Sequence, residues 1–72
     1  LGTDAPEEAM VERIALRQAI DALPEKERMT ILLRYFKALT QEQTARILGV
    51  SQVQVSRLER RGLQRLRESF QP

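Results

Sequence analysis

Two four-residue segments in the middle of the chain constrain its fold more than any other feature. Residues 40–43 read TQEQ and residues 51–54 read SQVQ, so each places a hydroxyl side chain three positions before a glutamine. This spacing is typical of a capping box, in which the hydroxyl accepts one helix amide and the glutamine returns to the first. Gly49 tolerates a left-handed turn and therefore indicates where the first of these helices ends. The pattern predicts two capped helices joined by a short turn, the layout of a helix-turn-helix.

A further helix is predicted from about Ala5 to Ala22. Asp4 can cap it, and it must end before Pro24 because the residue preceding a proline is pushed out of the α region. Its apolar residues recur at helical spacing and are expected to face the core. This stripe consists of Ala9, Leu16, Ile20 and Leu23.

The next helix is predicted from Pro24 to about Lys37 and is apolar on two sides. One side carries Met29, Leu32, Leu33 and Phe36, and the other carries Ile31, Tyr35 and Ala38. A helix of this kind is either central to its domain or presents one side to a partner, and we favour the central position.

At 100° per residue, the helix that follows Ser51 separates into two faces. The apolar face is expected to be buried and consists of Val55, Leu58, Gly62, Leu66 and Phe70, with Leu63 at its edge. The opposite face is basic and rich in amides, and it consists of Val53, Arg57, Arg60, Arg61 and Gln64, flanked by Ser56 and Arg67. Small or branched residues stand where two crossing helices leave least room, namely Ala45, Gly49 and Val55. We therefore predict an all-α fold, a single small four-helix domain over residues 1–72 with a C-terminal helix-turn-helix at about residues 41–60.

The amino-acid composition and the distribution of charge narrow the range of possible functions. Residues 1–39 carry a charge of −1 and residues 40–72 carry +3, and every basic residue of the second part is arginine. Arginine forms forked contacts with phosphate and guanine. Without cysteine or histidine, we predict no enzyme activity, no metal site and no cofactor. The chain has no signal peptide and no apolar run long enough to cross a bilayer, so a cytoplasmic protein is expected. Because it begins at Leu1, we also expect a longer parent protein.

The basic face predicts contacts in the major groove of DNA, which this motif enters with the N-terminal end of its second helix. Gln52 and Gln54 can pair with adenine edges, Arg57 can fork onto guanine, and Val53 can meet a thymine methyl group or be an ordinary exposed valine. Phosphate contacts are expected from the helix amides around Thr40 and Gln41 and from Arg60, Arg61 and Arg67. The negative charge of Glu59 is expected to offset the positive charges of the neighbouring arginines.

From Leu23 to Arg67 the chain resembles region 4 of bacterial RNA polymerase sigma factors. The segments LPEKER and LLRYF before the motif, and LQRLR after it, distinguish this family from other helix-turn-helix families. Residues 48–61, LGVSQVQVSRLERR, are most similar to the sporulation and stress sigma factors of the sigma-F and sigma-G type.

This resemblance implies binding to the −35 element of double-stranded promoter DNA and a role in transcription initiation. It also implies that the first helices hold the flap of the RNA polymerase β subunit, and it admits an anti-sigma factor as a partner. The family's recognition positions correspond here to Gln52, Val53, Gln54, Ser56 and Arg57, followed by Arg60 and Arg61. The candidates for flap contact are Met29, Leu33 and Phe36.

The chain departs from the family pattern at two places. Primary sigma factors carry a charged pair where Gln52 and Val53 stand, which predicts a different −35 sequence and hence an alternative sigma factor. Gly62 replaces an alanine that is common in relatives. Glycine inside a helix costs about 0.5–1 kcal/mol, so either close packing requires it or the helix is locally soft.

Two other classes of protein remain open at this point. The DNA-binding domain of a LuxR-type or response-regulator transcription factor uses a similar motif but dimerises on a palindromic site, whereas a sigma region 4 domain is expected to be monomeric. A helical protein-interaction module would show no salt-dependent DNA binding.

Overall fold

The structure, a computed structural model, describes residues 6–71 and their side chains from Met10 onward. Helices follow one another along this range without any β-strand, so the all-α prediction is confirmed. They are α1 (Pro6–Asp21), α2 (Glu25–Ile31), a π-helical segment (Leu32–Phe36), α3 (Gln41–Leu48) and α4 (Gln52–Ser69). The expected start of α1 at Ala5, its Asp4 cap and the side chain of Ala9 lie outside the described residues.

The second predicted helix is real but irregular. It begins after Pro24, whose φ of −53° and ψ of 147° mark the break that the proline predicts. After Ile31 the α-helical pattern gives way to the π-helical segment, in which the N–H of Lys37 donates to the carbonyl of Leu32 at 3.1 Å. This bond joins residues five apart, so the turn contains one residue more than an α-helical turn.

The chain leaves the π-helical segment through Ala38, whose φ is 55°. A left-handed conformation is uncommon for a residue with a Cβ atom and costs roughly 1–2 kcal/mol. The N–H of Leu39 then donates to the carbonyl of Leu33 at 3.0 Å, which closes the end of the segment. This reversal delivers the chain to the start of α3.

Both predicted capping boxes are present. The hydroxyl of Thr40 accepts the N–H of Gln43 at 3.0 Å, and the side-chain oxygen of Gln43 accepts the N–H of Thr40 at 2.9 Å. Ser51 and Gln54 repeat the arrangement at 3.1 Å and 2.9 Å. Gly49 ends α3 with a φ of 70°, as predicted. Each hydroxyl cap contributes about 1 kcal/mol and fixes the residue at which its helix begins.

The core lies where α4 crosses α1 and α2. Its buried cluster consists of Ile20, Leu23, Ile31 and Leu66. Val55 is fully buried, and Ala45 is 7% exposed, in the angle between α3 and α4. Ala45 and Val55 are therefore found at the close crossing where they were expected. Gly49 is not, because it is exposed and a Cβ atom there would meet nothing within 4 Å, so the left-handed turn alone accounts for this glycine.

Gly62 lies at the closest approach of α4 to α2. A Cβ atom at this position would stand 3.0 Å from Cγ1 and 3.2 Å from Cδ1 of Ile31. Close packing, rather than local softness of the helix, therefore accounts for the glycine.

One buried charge lies beside this contact. Glu27 of α2 is 4% exposed, and Nε of Arg65 on α4 is 2.8 Å from its Oε1. The two groups form an ion pair without an aligned hydrogen bond. Because a buried carboxylate without a cation is costly, Arg65 keeps this part of α4 against α2.

Three expectations about buried residues are wrong. Leu16 is 38% exposed, because it lines an open groove between α1 and the π-helical segment and not the buried core. Phe70 is 52% exposed, because α4 ends at Ser69 and leaves it beyond the packed helices. The central position expected for the second helix holds for Ile31 but not for Tyr35 and Phe36, which are 52% and 61% exposed.

None of the helices between residues 6 and 71 has the length and hydrophobicity that a bilayer crossing requires.

Candidate nucleic-acid interface

The N-terminal half of α4 presents the residues that the sequence places on its outer face. Val55 is fully buried against α3, whereas Val53, two residues before it, is 60% exposed. Gln52, Gln54 and Arg57 are exposed as well. Burial of Val55 thus sets the rotation of α4 about its own axis, and that rotation turns the amide and guanidinium groups outward.

Ser56 differs from the other recognition candidates because it is only half-exposed. It follows Val55 directly and lies at the border between the packed and the exposed sides of α4. Its short hydroxyl side chain would reach a base edge only where the DNA approaches the helix closely.

Farther along α4, the exposed face remains basic. Arg60, Arg61 and Arg67 are all exposed. Among the side chains described, those of residues 10–71, none of their guanidinium groups forms a salt bridge. These cations are therefore available to an anionic partner.

A cation from α2 joins this face. Lys26 lines a cleft together with Gln54, Arg57 and Arg61, and Val50 and Leu58 line it as well. The sequence did not indicate Lys26, because it belongs to the acidic part of the chain and reaches α4 only through the packing of α2 on α4. The spacing of residues along α4 contains no signal for it.

The start of α3 offers backbone amides rather than side chains. The N–H of Thr40 is already bonded to Gln43, and the side chain of Gln41 turns inward to Glu59, with Nε2 3.1 Å from Oε1. Helix geometry leaves the N–H groups of Gln41 and Glu42 without an acceptor inside the helix. Such amides, at the positive end of the helix dipole, suit a phosphate oxygen.

Glu59 has other partners than the neighbouring arginines that the sequence suggested. Its side chain is 12% exposed and points toward the π-helical segment. Oε1 accepts hydrogen bonds from Nε of Arg34 at 2.9 Å and from Nε2 of Gln41 at 3.1 Å, and Oε2 accepts one from the hydroxyl of Tyr35 at 2.6 Å. We call these four residues the Glu59 network.

The network changes the acidity of two of its members. Burial raises the pKa of Glu59, but the hydrogen bonds from Tyr35, Arg34 and Gln41 outweigh burial and hold the pKa below its ordinary value. The hydrogen bond to Glu59 raises the pKa of the Tyr35 hydroxyl, and burial and the negative charge of Glu59 add to this. At neutral pH, Glu59 is therefore ionised and Tyr35 is neutral.

Nowhere in residues 6–71 do three histidine, cysteine or acidic side chains come together in an arrangement that could hold a metal ion.

A helix-turn-helix whose second helix carries an exposed, basic and amide-rich face defines a DNA-binding module. The family model described as sigma-70, region 4 matches residues 19–68, and the chain belongs to this family. This membership confirms the sigma-factor prediction and displaces the LuxR-type alternative.

Individual relatives agree with the family. The RNA polymerase sigma-F factor of Bacillus subtilis (strain 168) is 47% identical over 64 residues, 89% of this chain and 25% of the relative. RNA polymerase sigma factor SigF of Mycobacterium tuberculosis (strain ATCC 25618 / H37Rv) is 43% identical over 68 residues, 94% of this chain and 26% of the relative. The sigma-G factor of Bacillus subtilis (strain 168) is 34% identical over 60 residues, 83% of this chain and 23% of the relative. The chain thus spans about a quarter of the length of the curated relatives it matches, and these belong to the sigma-F and sigma-G type that the sequence predicted.

Proposed function

We propose that this domain binds the −35 promoter element as region 4 of an alternative sigma factor of the sporulation or stress type. The observation that carries the proposal is the exposure of Val53 and Arg57 on either side of the buried Val55 at the N-terminal end of α4. A helix-turn-helix inserts this end of its second helix into the major groove. Bound there, the domain would direct RNA polymerase to its promoters and start transcription.

The residues proposed to contact DNA divide into two groups, those that contact base edges, which we call readers, and those that contact phosphates, which we call anchors. Gln52, Gln54, Ser56 and Arg57 offer donors and acceptors to base edges, and Val53 offers an apolar surface to a thymine methyl group. The anchors hold phosphates and carry no base preference. They are Arg60, Arg61 and Arg67 of α4, Lys26 of α2, and the backbone amides at the start of α3 around Thr40 and Gln41.

A second surface suits the polymerase itself. Leu16, Ile20, Leu32 and Phe36 line an apolar groove between α1 and the π-helical segment. We propose that this groove holds the flap of the β subunit. Of the three flap candidates in the sequence, Phe36 lines this groove, whereas Met29 and Leu33 are half-buried elsewhere on the same helix.

Other properties follow from this function and are part of the proposal. The domain acts by binding, without a catalytic step, and as a monomer, since a −35 element is not palindromic. It works in the bacterial cytoplasm, where the polymerase and the chromosome are found. An anti-sigma factor is a further partner for the domain.

The test compares two arginines on the same helix. Arg57→Ala should cost about 1–3 kcal/mol of DNA affinity and relax the preference at one base pair, since it removes a base contact. Arg61→Ala should weaken binding to all sequences about equally and reduce the slope of log affinity against log salt concentration by about 1, since it removes a phosphate contact. Both are measured on the 72-residue chain with a library of −35 duplexes.

Arg17→Ala serves as the matched control, because Arg17 is an exposed arginine on α1 that pairs with Asp21 at 3.6 Å. It should leave both the base preference and the salt slope unchanged. An unaltered base preference in Arg57→Ala would remove Arg57 from the readers. A palindromic preferred site, together with a dimer in sedimentation, would contradict the sigma-factor function.

A further inference from the structure

We propose that Glu59 is a positioning residue for promoter recognition, which fixes α4 relative to α3 so that both helices reach one DNA duplex together. This inference rests on the proposed function. Glu59 touches no DNA in this arrangement, because its side chain is 12% exposed and is directed toward the π-helical segment. Its effect on recognition has to pass through the helices that it joins.

The geometry joins three parts of the fold at one carboxylate. Glu59 lies in the middle of α4, two residues after Arg57. Arg34 and Tyr35 reach it from the π-helical segment, and Gln41 reaches it from the first residue of α3. Since the two oxygens of the carboxylate accept three hydrogen bonds, the direction of each donor is restricted.

Arg34 extends the network to the turn before α3. Its second guanidinium nitrogen, Nη1, donates to the carbonyl of Leu39 at 2.6 Å. Leu39 immediately precedes Thr40, whose hydroxyl caps α3. Glu59 thus holds the start of α3, where the phosphate-binding amides lie, at a set distance from the base-reading end of α4.

The effect of the Glu59 charge on DNA affinity and the proposed positioning role predict opposite results for a substitution of Glu59, so the inference is testable. Glu59 is a negative group on the helix proposed to enter the groove, so removing its charge should strengthen binding to any DNA, because DNA affinity depends on cationic charge. A positioning role predicts weaker binding to the preferred sequence, since the readers and the anchors would no longer fit one duplex. The two explanations therefore differ in the sign of the effect.

The experiment uses Glu59→Gln in the 72-residue chain. The probes are a duplex selected by the unaltered chain from a random −35 library and a scrambled duplex of the same base composition. We expect the ratio of affinities for the two probes to fall about tenfold, while affinity for the scrambled probe stays level or rises. Glu68→Gln, the same substitution at an exposed position of α4, is the matched control and should change the ratio by less than about twofold.

Tyr35→Phe provides a second measurement that does not depend on the stability of Glu59→Gln. It removes one hydroxyl from a side chain that is 52% exposed, so the fold should persist. We expect the affinity ratio to fall about threefold in the unaltered background and by less when Glu59→Gln is already present, because an amide at this position no longer gives the Tyr35 hydroxyl a charged acceptor. Circular dichroism and thermal unfolding establish that each variant is folded at the temperature of the binding measurement.

Three results would overturn the inference. One is tighter binding of Glu59→Gln to both probes, which would leave only the effect of charge. Another is an equal loss on both probes in a folded variant, and the third is an unchanged ratio in Tyr35→Phe. An unaltered chain that bound both probes equally would instead overturn the promoter-binding function itself.

Discussion

The two halves of α4 are held to the rest of the domain by different kinds of contact. The C-terminal half is held mainly by apolar packing, with Gly62 against Ile31 and Leu66 inside the core cluster, and the ion pair between Arg65 and Glu27 adds to this packing. The N-terminal half depends, apart from Val55, on the Glu59 network. Apolar packing stabilises in proportion to the area buried and has no preferred direction. Hydrogen bonds weaken steeply when misaligned, so they define an orientation.

This difference indicates a division between stability and recognition. The C-terminal half of α4, which we call the packed half, should supply most of the free energy of folding. The N-terminal half, which is held by the Glu59 network, should determine how the helix is oriented toward DNA. Substitutions in the first should change the free energy of unfolding but not the base preference of folded molecules. Substitutions in the second should change the base preference and should change the free energy of unfolding much less.

The largest effect is expected from Ile31→Ala. Ile31 is 3% exposed and contacts α4 at its closest approach, so the substitution should lower the free energy of unfolding by about 3 kcal/mol. Urea denaturation measures the change. Ile47→Ala, at an aliphatic residue of α3 that is 58% exposed, should change it by less than about 0.5 kcal/mol. Equal losses in the two variants would refute the assignment of stability to the packed half.

A smaller effect is expected from Gly62→Ala. Alanine improves helix propensity by about 1 kcal/mol, but its Cβ atom would lie 3.0 Å and 3.2 Å from two carbons of Ile31, which would have to shift. Overpacking of this kind costs about 1–3 kcal/mol. We expect a net loss of about 1 kcal/mol in the free energy of unfolding. In the Ile31→Ala background the obstruction is gone, so the same substitution should stabilise the domain. A stabilising effect in both backgrounds would show that the contact between α2 and α4 is looser than 3.0 Å implies.

The smallest effect is the pH dependence of the Glu59 network, because burial and hydrogen bonding act on Glu59 in opposite directions. The lowered pKa of Glu59 means that its contribution is present above the ordinary value of 4.5 and is lost as pH falls through the lower folded value. The raised pKa of Tyr35 means that its contribution is present below pH 10.0 and is lost as pH rises through the higher folded value.

Unfolding measured across pH 3–11 checks both limits. Relative to the unaltered chain, Glu59→Gln should have a flatter dependence of unfolding free energy on pH below the ordinary glutamate value, and Tyr35→Phe should have a flatter one above the ordinary tyrosine value. If the pH profile of a variant runs parallel to that of the unaltered chain, the substituted residue does not contribute to the stability of the N-terminal half of α4.

The sequence predicted the features that short segments determine. Four residues suffice for a capping box, so the starts of α3 and α4 were predicted correctly at Thr40 and Ser51. Gly49 had the same local basis, since its left-handed φ follows from the end of α3. The rotation of α4 followed from its 3.6-residue period, and this period correctly separated Val55 from Val53 and Arg57.

Features that depend on distant contacts were missed. Glu59 meets donors that lie 18 to 25 residues away, and no pattern along α4 records them. Lys26 joins the basic face only because α2 packs on α4. Leu16 and Phe70 were expected in the core because periodicity shows which side of a helix is apolar, but not which residues on that side another helix covers. Ala38 has no propensity for the left-handed conformation that it adopts.

In the proposed arrangement, the π-helical segment links the chain length between α2 and α3 to DNA recognition. A chain lacking one of the two residues before Arg34, Leu32 or Leu33, could close an ordinary α-helical turn with its backbone hydrogen bonds intact. Arg34 and Tyr35 would then face a different side of the helix and miss Glu59. Under the proposed role of Glu59, a single-residue deletion there would therefore change which promoters the domain recognises without altering any residue proposed to contact DNA.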